Sequence, residues 1–229
     1  TGNDNVALGW GAGGSTSNTT GTNNTFLGSN AGNQIINKND HTFIGYRAGA
    51  TNRAGYASTI IGSHAGYDPK GATYSGSANL FAGYGAGYYT GGDNVVALGA
   101  YAGYYTTGSS NTFVGKQAGQ GGTTSAPYSS GQNNVAVGYQ ALKAFTTGTL
   151  NIAIGYQASL GVSTGAKNVV IGRASFSSAT TTSNVVLIGD EAGKNINSTG
   201  ADGTVAIGYQ AGTAVTSGNN NVFMGYLAG

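Results

Sequence analysis

The side chains that carry out chemistry in proteins are few in this sequence and widely spaced. Seven acidic residues, two histidines and no cysteine are spread over 229 residues. Asp190 and Glu191 are the only adjacent acidic pair. Because neighbouring residues of a strand project to opposite faces, these two would not work together as a general acid and a general base. We interpret them as a solvated pair and predict that the protein is not an enzyme.

The histidines and the glycine-rich segments offer no stronger chemistry. His41 and His64 stand at different positions of adjacent repeats, and a metal site would need further ligands; we expect each to hydrogen-bond locally in a turn. Segments such as Gly83-Tyr-Gly-Ala-Gly87 imitate phosphate-binding loops in composition, but no helix is predicted to follow and supply amide donors. Calcium-binding nonapeptide repeats would need aspartate at fixed positions. We therefore expect no metal and no cofactor.

Tyrosine is the residue type whose clustering suggests binding. Two adjacent pairs fall in consecutive repeats: Tyr88, Tyr89, Tyr104 and Tyr105. Aromatic rings can stack on sugar faces and are favoured at recognition surfaces. We hypothesise that these pairs, with the loops around Pro69 and Pro127, form an adhesive surface for a cell-surface glycan or protein receptor. A structural ladder is the alternative, favoured for the tyrosines that recur at one position beside the strands. These are Tyr46, Tyr139, Tyr156, Tyr209 and Tyr226, which we expect to lie beside the core.

Composition and charge exclude several classes of protein. Nine basic and seven acidic side chains are scattered singly and give a net charge of +2. Without a basic stripe to neutralise a row of phosphates, we expect no nucleic-acid partner. No apolar run approaches the roughly 18 residues of a membrane span, so we expect no membrane insertion by this segment. The 15 tyrosines and seven phenylalanines argue against disorder, because disordered chains are usually poor in aromatic residues.

An internal repeat dominates the chain. One pattern recurs 13 times: an apolar residue or threonine, two further apolar residues, then glycine. Alanine follows three residues later in 12 copies, with Ser175 in the other, and a second glycine comes next except at Leu142, Ser159 and Phe176. Short β-branched and aromatic runs between turn residues are typical of strands. The commonest spacing of 17 residues therefore predicts an all-β, parallel β-roll or β-solenoid of about 13 turns, a single segment over residues 1–229.

The strand itself is apolar on both faces, which predicts assembly. Alternate residues of a strand face opposite ways, yet the middle position is apolar in all 13 copies and most flanking positions are apolar too. A parallel strand of this kind is buried on both faces. We expect one face inside the roll and the other packed against two identical chains in a homotrimer; a monomer with a two-layer core is the alternative. The residues assigned to the core and trimer interface are Phe26, Phe43, Phe81, Phe113, Phe223, Ile154, Ile171 and Ile207.

The repeat units resemble those of known fibres. Asn134-Val-Ala-Val-Gly-Tyr-Gln-Ala141 and Asn151-Ile-Ala-Ile-Gly-Tyr-Gln-Ala158 are similar to the repeats of YadA-like head domains in trimeric autotransporter adhesins. The longer form from Gly138 to Ala158 resembles repeats in phage tail fibres and related bacterial fibre proteins. The resemblance implies a left-handed, trimeric and adhesive β-roll that is extracellular, on a bacterial cell surface or a virion tail fibre.

These observations together predict a non-enzymatic structural and adhesive fibre segment. Because the repeats run to both ends without polar caps, we expect a fragment of a longer fibre. An ice- or surface-binding solenoid is the alternative, but it would need a flat threonine array, and the threonine clusters drift in register. A polysaccharide-cleaving β-helix enzyme would need a carboxylate cluster, which the sequence lacks. The threonine clusters are Thr106-Thr107, Thr123-Thr124, Thr146-Thr147 and Thr180 to Thr182.

Overall fold

The chain forms one continuous parallel sheet. The computed structural model describes residues 2–14, 20–35, 37–51, 55–69, 76–122, 128–196 and 199–229. Within these ranges, 13 three-residue strands lie in one sheet, in which each strand pairs only with its neighbours in sequence. One short 3₁₀ turn, Thr199–Ala201, is the sole helical element of the described ranges. The prediction of an all-β parallel solenoid with about one turn per 17 residues is confirmed.

The strands occupy the predicted positions, and equivalent residues of adjacent strands pair with each other. Phe26 pairs with Phe43, and Ala136 pairs with Ala153, so like residues stack in columns along the axis. At about 4.8 Å per strand the sheet is roughly 60 Å long. The strands are β1 Val6–Leu8, β2 Thr25–Leu27, β3 Thr42–Ile44, β4 Thr59–Ile61, β5 Leu80–Ala82, β6 Val96–Leu98, β7 Thr112–Val114, β8 Val135–Val137, β9 Ile152–Ile154, β10 Val169–Ile171, β11 Val186–Ile188, β12 Val205–Ile207 and β13 Val222–Met224.

The middle residue of each strand points into the roll. Phe43, Phe81 and Phe113 are fully buried and belong to one core with the alanine column that follows the strands. The rings of Phe26 and Phe43, in adjacent turns, have centroids 5.6 Å apart. Phe223, in the last turn, is only partly buried. A single chain therefore shields most of these phenylalanines from water.

The connectors contribute a second set of core residues that the sequence reasoning missed. The rest of each turn is mostly glycine, serine, threonine and asparagine, but apolar side chains from the connectors reach the interior. The ring of Phe145, for example, lies 5.6 Å from that of Phe113 between centroids. The buried apolar residues of the connectors include Ile35, Leu142, Phe145, Val162, Phe176 and Ile196.

The first and third residues of the strands form the opposite, outward face. Leu27 and Ile61 are 42% and 41% exposed, and Ile154 and Ile171 are each 37% exposed. We call the surface formed by the first and third residues of β1–β13 the outer stripe. Ile207, which belongs to the outer stripe, is half-buried. The residues expected at the core and trimer interface thus divide in two, with the phenylalanines inside and the isoleucines outside.

The glycine that ends every strand has a conformational cause. All 13 copies have φ between +125° and +146°, a region that is strained for residues with a side chain. At Gly45 an added Cβ would lie 2.7 Å from the carbonyl carbon and oxygen of Gly62 in the next turn. This glycine column therefore allows successive turns to stack at strand spacing.

The second glycine of the repeat makes room for the strand residue beneath it. Gly49 has φ +56°, and an added Cβ would overlap the ring of Phe43. In the turns of β8–β10 the middle residues are small, and larger residues replace this glycine in the same left-handed conformation, with φ between +51° and +53°. The small strand residues are Ala136, Ala153 and Val170, and the replacements are Leu142, Ser159 and Phe176, all buried.

Asparagine opens the repeat because its amide links successive turns. The backbone N–H of Asn151 donates to Oδ1 of Asn134 at 3.0 Å. Its Nδ2 donates to the same oxygen at 3.1 Å and to the carbonyl oxygen of Gly165 at 2.9 Å. Asn134 makes the same three bonds to its neighbours. This buried asparagine column satisfies polar groups that would otherwise be stranded in the core.

Candidate functional site

The predicted tyrosine pairs come together as two stacked columns. Tyr88 and Tyr104 lie parallel, with ring centroids 4.7 Å apart and an interplanar angle of 11°. Tyr89 and Tyr105 are stacked at 5.5 Å and 12°. Each pair follows its strand glycine by five and six residues, so the parallel register places equivalent rings above each other. All four residues are half-buried, which makes them both a ladder and a surface.

Two further tyrosines complete this cluster; the sequence analysis did not name them individually, although each stands beside one of the two prolines whose loops it assigned to the adhesive surface. Tyr128, only 6% exposed, lies against Tyr89 and Tyr105 with centroids 4.9 and 5.7 Å apart. Tyr67 meets Tyr88 edge-on at 5.5 Å, and it could have been found because it has the same offset from its strand glycine. We call the set the tyrosine cluster. Its members are Tyr67, Tyr88, Tyr89, Tyr104, Tyr105 and Tyr128.

Tyr88 and Tyr104 of the cluster stay uncharged at physiological pH. Burial, with a smaller contribution from Tyr89, raises the pKa of Tyr88 to about 12. Burial also raises the pKa of Tyr104, and neighbouring tyrosines, Tyr88 first, add to that shift. These two phenol groups therefore remain protonated and keep both donor and acceptor capacity. A ligand would meet ring faces and hydroxyl groups rather than charges.

His64 belongs to the edge of the same aromatic surface. Its ring lies 5.1 Å from Tyr46 and 5.6 Å from Tyr67 between centroids, and its Nδ1 is 3.0 Å from the hydroxyl oxygen of Ser63. Burial, with the nearby Arg47 guanidinium, lowers the pKa of His64. Arg47 in turn lies over the rings of Tyr46 and Tyr67. Among the described residues, no group of three or more histidine or acidic side chains could hold a metal ion.

His41 is a member of the asparagine column. Its Nδ1 accepts the backbone N–H of Ser58 at 3.3 Å, and its Nε2 donates to the carbonyl oxygen of Gly55 at 3.2 Å. These bonds require the neutral ring with its proton on Nε2, because Nδ1 must accept. Burial lowers the pKa of His41 to about 4. The histidine thus reproduces the acceptor and donor of the asparagine it replaces.

The adjacent acidic pair takes part in surface ion pairs. Arg173 Nη2 lies 2.7 Å from Asp190 Oδ2, and Lys194 Nζ lies 2.9 Å from Glu191 Oε1. Gln210 also donates to Glu191 Oε2 at 2.8 Å. Hydrogen bonds from Lys194 and Gln210 lower the pKa of Glu191. Each carboxylate therefore has a partner within its own turn or an adjacent one.

The second tyrosine column lies beside the outer stripe and faces solvent. Tyr139 and Tyr156 are stacked with centroids 5.2 Å apart, and Tyr209 and Tyr226 are stacked at 5.3 Å. Tyr46, Tyr156, Tyr209 and Tyr226 are all exposed. The favoured ladder is present, but it extends the outward face of the strands instead of lying against the core.

The threonine clusters do not share one surface. Thr106 and Thr182 are buried, whereas Thr147 and Thr181 are exposed. Within the described ranges the threonines therefore do not build the flat array that ice binding would need. Pro69 is exposed and lies two residues after Tyr67 in the chain. Thr123-Thr124 and Pro127 lie outside the described residues.

Comparisons with known proteins give no match. No protein-family model matches the chain, and neither a curated protein nor a solved structure is significantly similar to it. In the described part of the chain, no helix has the length and apolarity that crossing a bilayer requires. The argument for function therefore rests on the outer stripe, the tyrosine cluster and their surroundings.

Proposed function

We propose that this chain is a non-enzymatic structural and adhesive segment of an extracellular fibre. In this proposal three copies form a left-handed, parallel homotrimer that attaches to a cell surface, as part of a bacterial surface adhesin or a virion tail fibre. The observation that carries the proposal is the outer stripe, a largely apolar column that runs along all 13 strands and stays at least partly exposed in a single chain.

A second and a third copy of the chain are the occupants that suit this stripe. Parallel sheets are normally covered on both faces, and large exposed apolar patches mark interaction sites. Leu27, Ile61, Ile154 and Ile171 lie at equivalent strand positions, so the stripe is continuous along the sheet and the same on every copy. Cyclic symmetry allows each copy to turn that face towards a common axis.

The adhesive part of the proposal rests on the tyrosine cluster. Large aromatic side chains with a hydroxyl group supply stacking area and hydrogen bonds at recognition surfaces. In a trimer the cluster would be present three times on one rod, so weak individual contacts would add up to avid attachment.

The assembly is tested by the mass of the folded chain in solution. Sedimentation should give about three times the 22.6 kDa of one chain. The double variant Ile154→Glu and Ile171→Glu should shift the mass towards one chain, because charges on the outer stripe oppose its burial. Thr147→Glu, on an exposed connector, is the matched control and should leave the trimer intact. A folded wild-type monomer at micromolar concentration would refute the assembly.

The adhesion is tested by binding of the labelled chain to a panel of bacterial cells. The fourfold alanine variant of the two predicted tyrosine pairs should bind at least tenfold less. Because these rings are half-buried, far-UV circular dichroism must show that the variant is folded, and the fourfold phenylalanine variant should retain the stacking. Unchanged binding by the folded alanine variant would remove the tyrosine cluster from the adhesive surface.

A further inference from the structure

A groove opens where the tyrosine cluster ends. It has a volume of about 610 Å³ and spans the connectors that follow β7–β10, with Tyr105 as its aromatic wall. Its size falls within the range of about 300–1,000 Å³ that is typical of ligand sites. Of the residues predicted for the adhesive surface, Tyr105 lines the groove, but the small residues beyond it were not singled out.

The groove results from a change of residue size along one column of the roll. The sixth residue after the strand glycine is Tyr89 and then Tyr105 in the turns of β5 and β6, but it becomes Gly121, Ala144 and Gly161 in the next three turns. The aromatic column therefore stops at Tyr105, and the small residues beyond it leave the edge of the roll open. Ring contacts with Tyr89 and Tyr128 hold Tyr105 in place, so this wall of the groove is rigid.

Lys143 is the one charged residue that lines the groove. Lys194 occupies the same position three turns further on and pairs with Glu191 at 2.9 Å. In the turn of Lys143 the position of Glu191 is taken by Gln140, whose amide is engaged with Gln117 and Gln157 at 2.8 and 2.9 Å. Among the described residues, Lys143 makes no ion pair, so its charge is available to a ligand.

The charged residues in the sequence around the groove are all basic. Residues 94–189 contain no aspartate or glutamate and four basic residues. Of these, Arg173 pairs with Asp190. A field of one sign raises the local concentration of oppositely charged ligands. Because the basic residues are separated singly along the rod, they suit an isolated carboxylate better than a row of phosphates.

We propose that this groove binds a short segment of an acidic polysaccharide. A sugar ring stacks on Tyr105, a carboxylate of the saccharide pairs with Lys143, and the amide of Gln120 hydrogen-bonds to sugar hydroxyl groups. The inference rests on the proposed adhesive function and names the ligand class of one part of its surface. Ligand sites are typically lined by apolar and aromatic side chains, with a few polar groups that fix the orientation of the ligand.

Binding is measured on an array of oligosaccharides that contains oligogalacturonates and sialylated glycans beside neutral homologues. The wild-type chain should bind acidic glycans at least fivefold more strongly than neutral ones. Lys143→Gln should abolish that preference. Ala144→Tyr should reduce binding of all glycans at least tenfold, because the new ring fills the groove. Lys116→Gln is the matched control, since Lys116 is exposed and lies outside the groove, and it should bind like the wild type.

The outcomes separate this inference from the proposed function. Equal binding of acidic and neutral glycans, or equal losses in Lys143→Gln and Lys116→Gln, would overturn the groove as the site. A trimer that adheres to cells but binds no acidic glycan would refute the groove and leave the fibre proposal standing. A monomer whose glycan binding is lost in Lys143→Gln would support the groove and refute the assembly. If Ala144→Tyr fails to fold, the comparison of glycan binding between Lys143→Gln and Lys116→Gln still tests the groove.

Discussion

The turns of β2–β5 and β7 and those of β8–β10 fill the same interior in opposite ways. In the first group, which we call the strand-filled region, a large residue such as Phe43 or Phe113 enters from the strand, and glycine follows in the turn. In the loop-filled region, β8–β10, the strand residue is small and the turn supplies Leu142, Ser159 or Phe176. The comparison teaches that a large side chain can enter the interior either from the strand or from the turn that follows it.

The largest expected effect comes from forcing the loop-filled arrangement on a strand-filled turn. Gly119→Leu should lower the free energy of unfolding by about 4 kcal/mol, because the new side chain overlaps Phe113 and the backbone is left-handed, with φ +52°. Phe113→Ala alone should cost about 3–5 kcal/mol. The double variant should be more stable than either single variant, since the introduced leucine would occupy the vacated volume. Urea denaturation at fixed protein concentration measures the cycle, and simple additivity would contradict the volume exchange.

The second test empties a loop-filled turn. Phe176→Ala should cost about 3–4 kcal/mol, because the buried ring is removed while the neighbouring Val170 is too small to replace it. Phe223→Ala is the control: this ring belongs to the last turn and is only partly buried, so we expect less than half the loss. Thermal denaturation and hydrogen exchange would measure the loss of stability in both variants. Equal losses would show that the position along the rod does not matter.

The third test concerns acid, to which the strand-filled region alone should respond through His41. The folded-state pKa of about 4 lies below the ordinary histidine value of 6.5, so the unfolded chain binds the proton first. The contribution of neutral His41 is therefore fully present above pH 6.5 and is lost as the pH falls towards 4, by about 3 kcal/mol. His41→Asn should remove this loss, and the difference between the two unfolding curves isolates it from carboxylate titration. Parallel curves for both proteins would contradict the assignment.

The smallest of the four effects is expected in the asparagine column. Asn151→Ala should cost about 2 kcal/mol, because the backbone N–H of Asn168 and the carbonyl of Gly165 each lose a partner in the core. Asn195→Ala, on an exposed turn, should cost a few tenths of that. Amide exchange at Asn168 gives a local readout, and unchanged protection there would show that the column is not needed for the register.

The sequence was sufficient to predict the sheet and its register. The glycine column requires one backbone conformation in every turn. That requirement is visible in the sequence, because glycine follows each of the 13 apolar triplets. The stacking of Tyr88 on Tyr104 and of Tyr89 on Tyr105 has the same origin, because equal offsets from that glycine place rings above each other once the strands are parallel.

Features that depend on side-chain volume or on connectors of unequal length were not predicted. Phe145 and Tyr128 lie at positions that no fixed offset aligns, so neither their burial nor their contacts followed from the repeat. Leu142 and Phe176 were recognised only as exceptions to the second glycine, because their role depends on the size of Ala136 and Val170. The groove was missed because it arises from small residues, which leave no motif.

Each strand of the sheet pairs only with the strands before and after it in sequence, and this determines how such a rod can change length. Since no strand crosses over another, removal of residues 139–155 would join Gly138 directly to Tyr156, which follows an equivalent glycine and precedes the same two residues as Tyr139 does. Loss or duplication of one period in the coding DNA would therefore shorten or lengthen the molecule by a single step of about 4.8 Å. The number of repeats in the gene would therefore set the length of the rod.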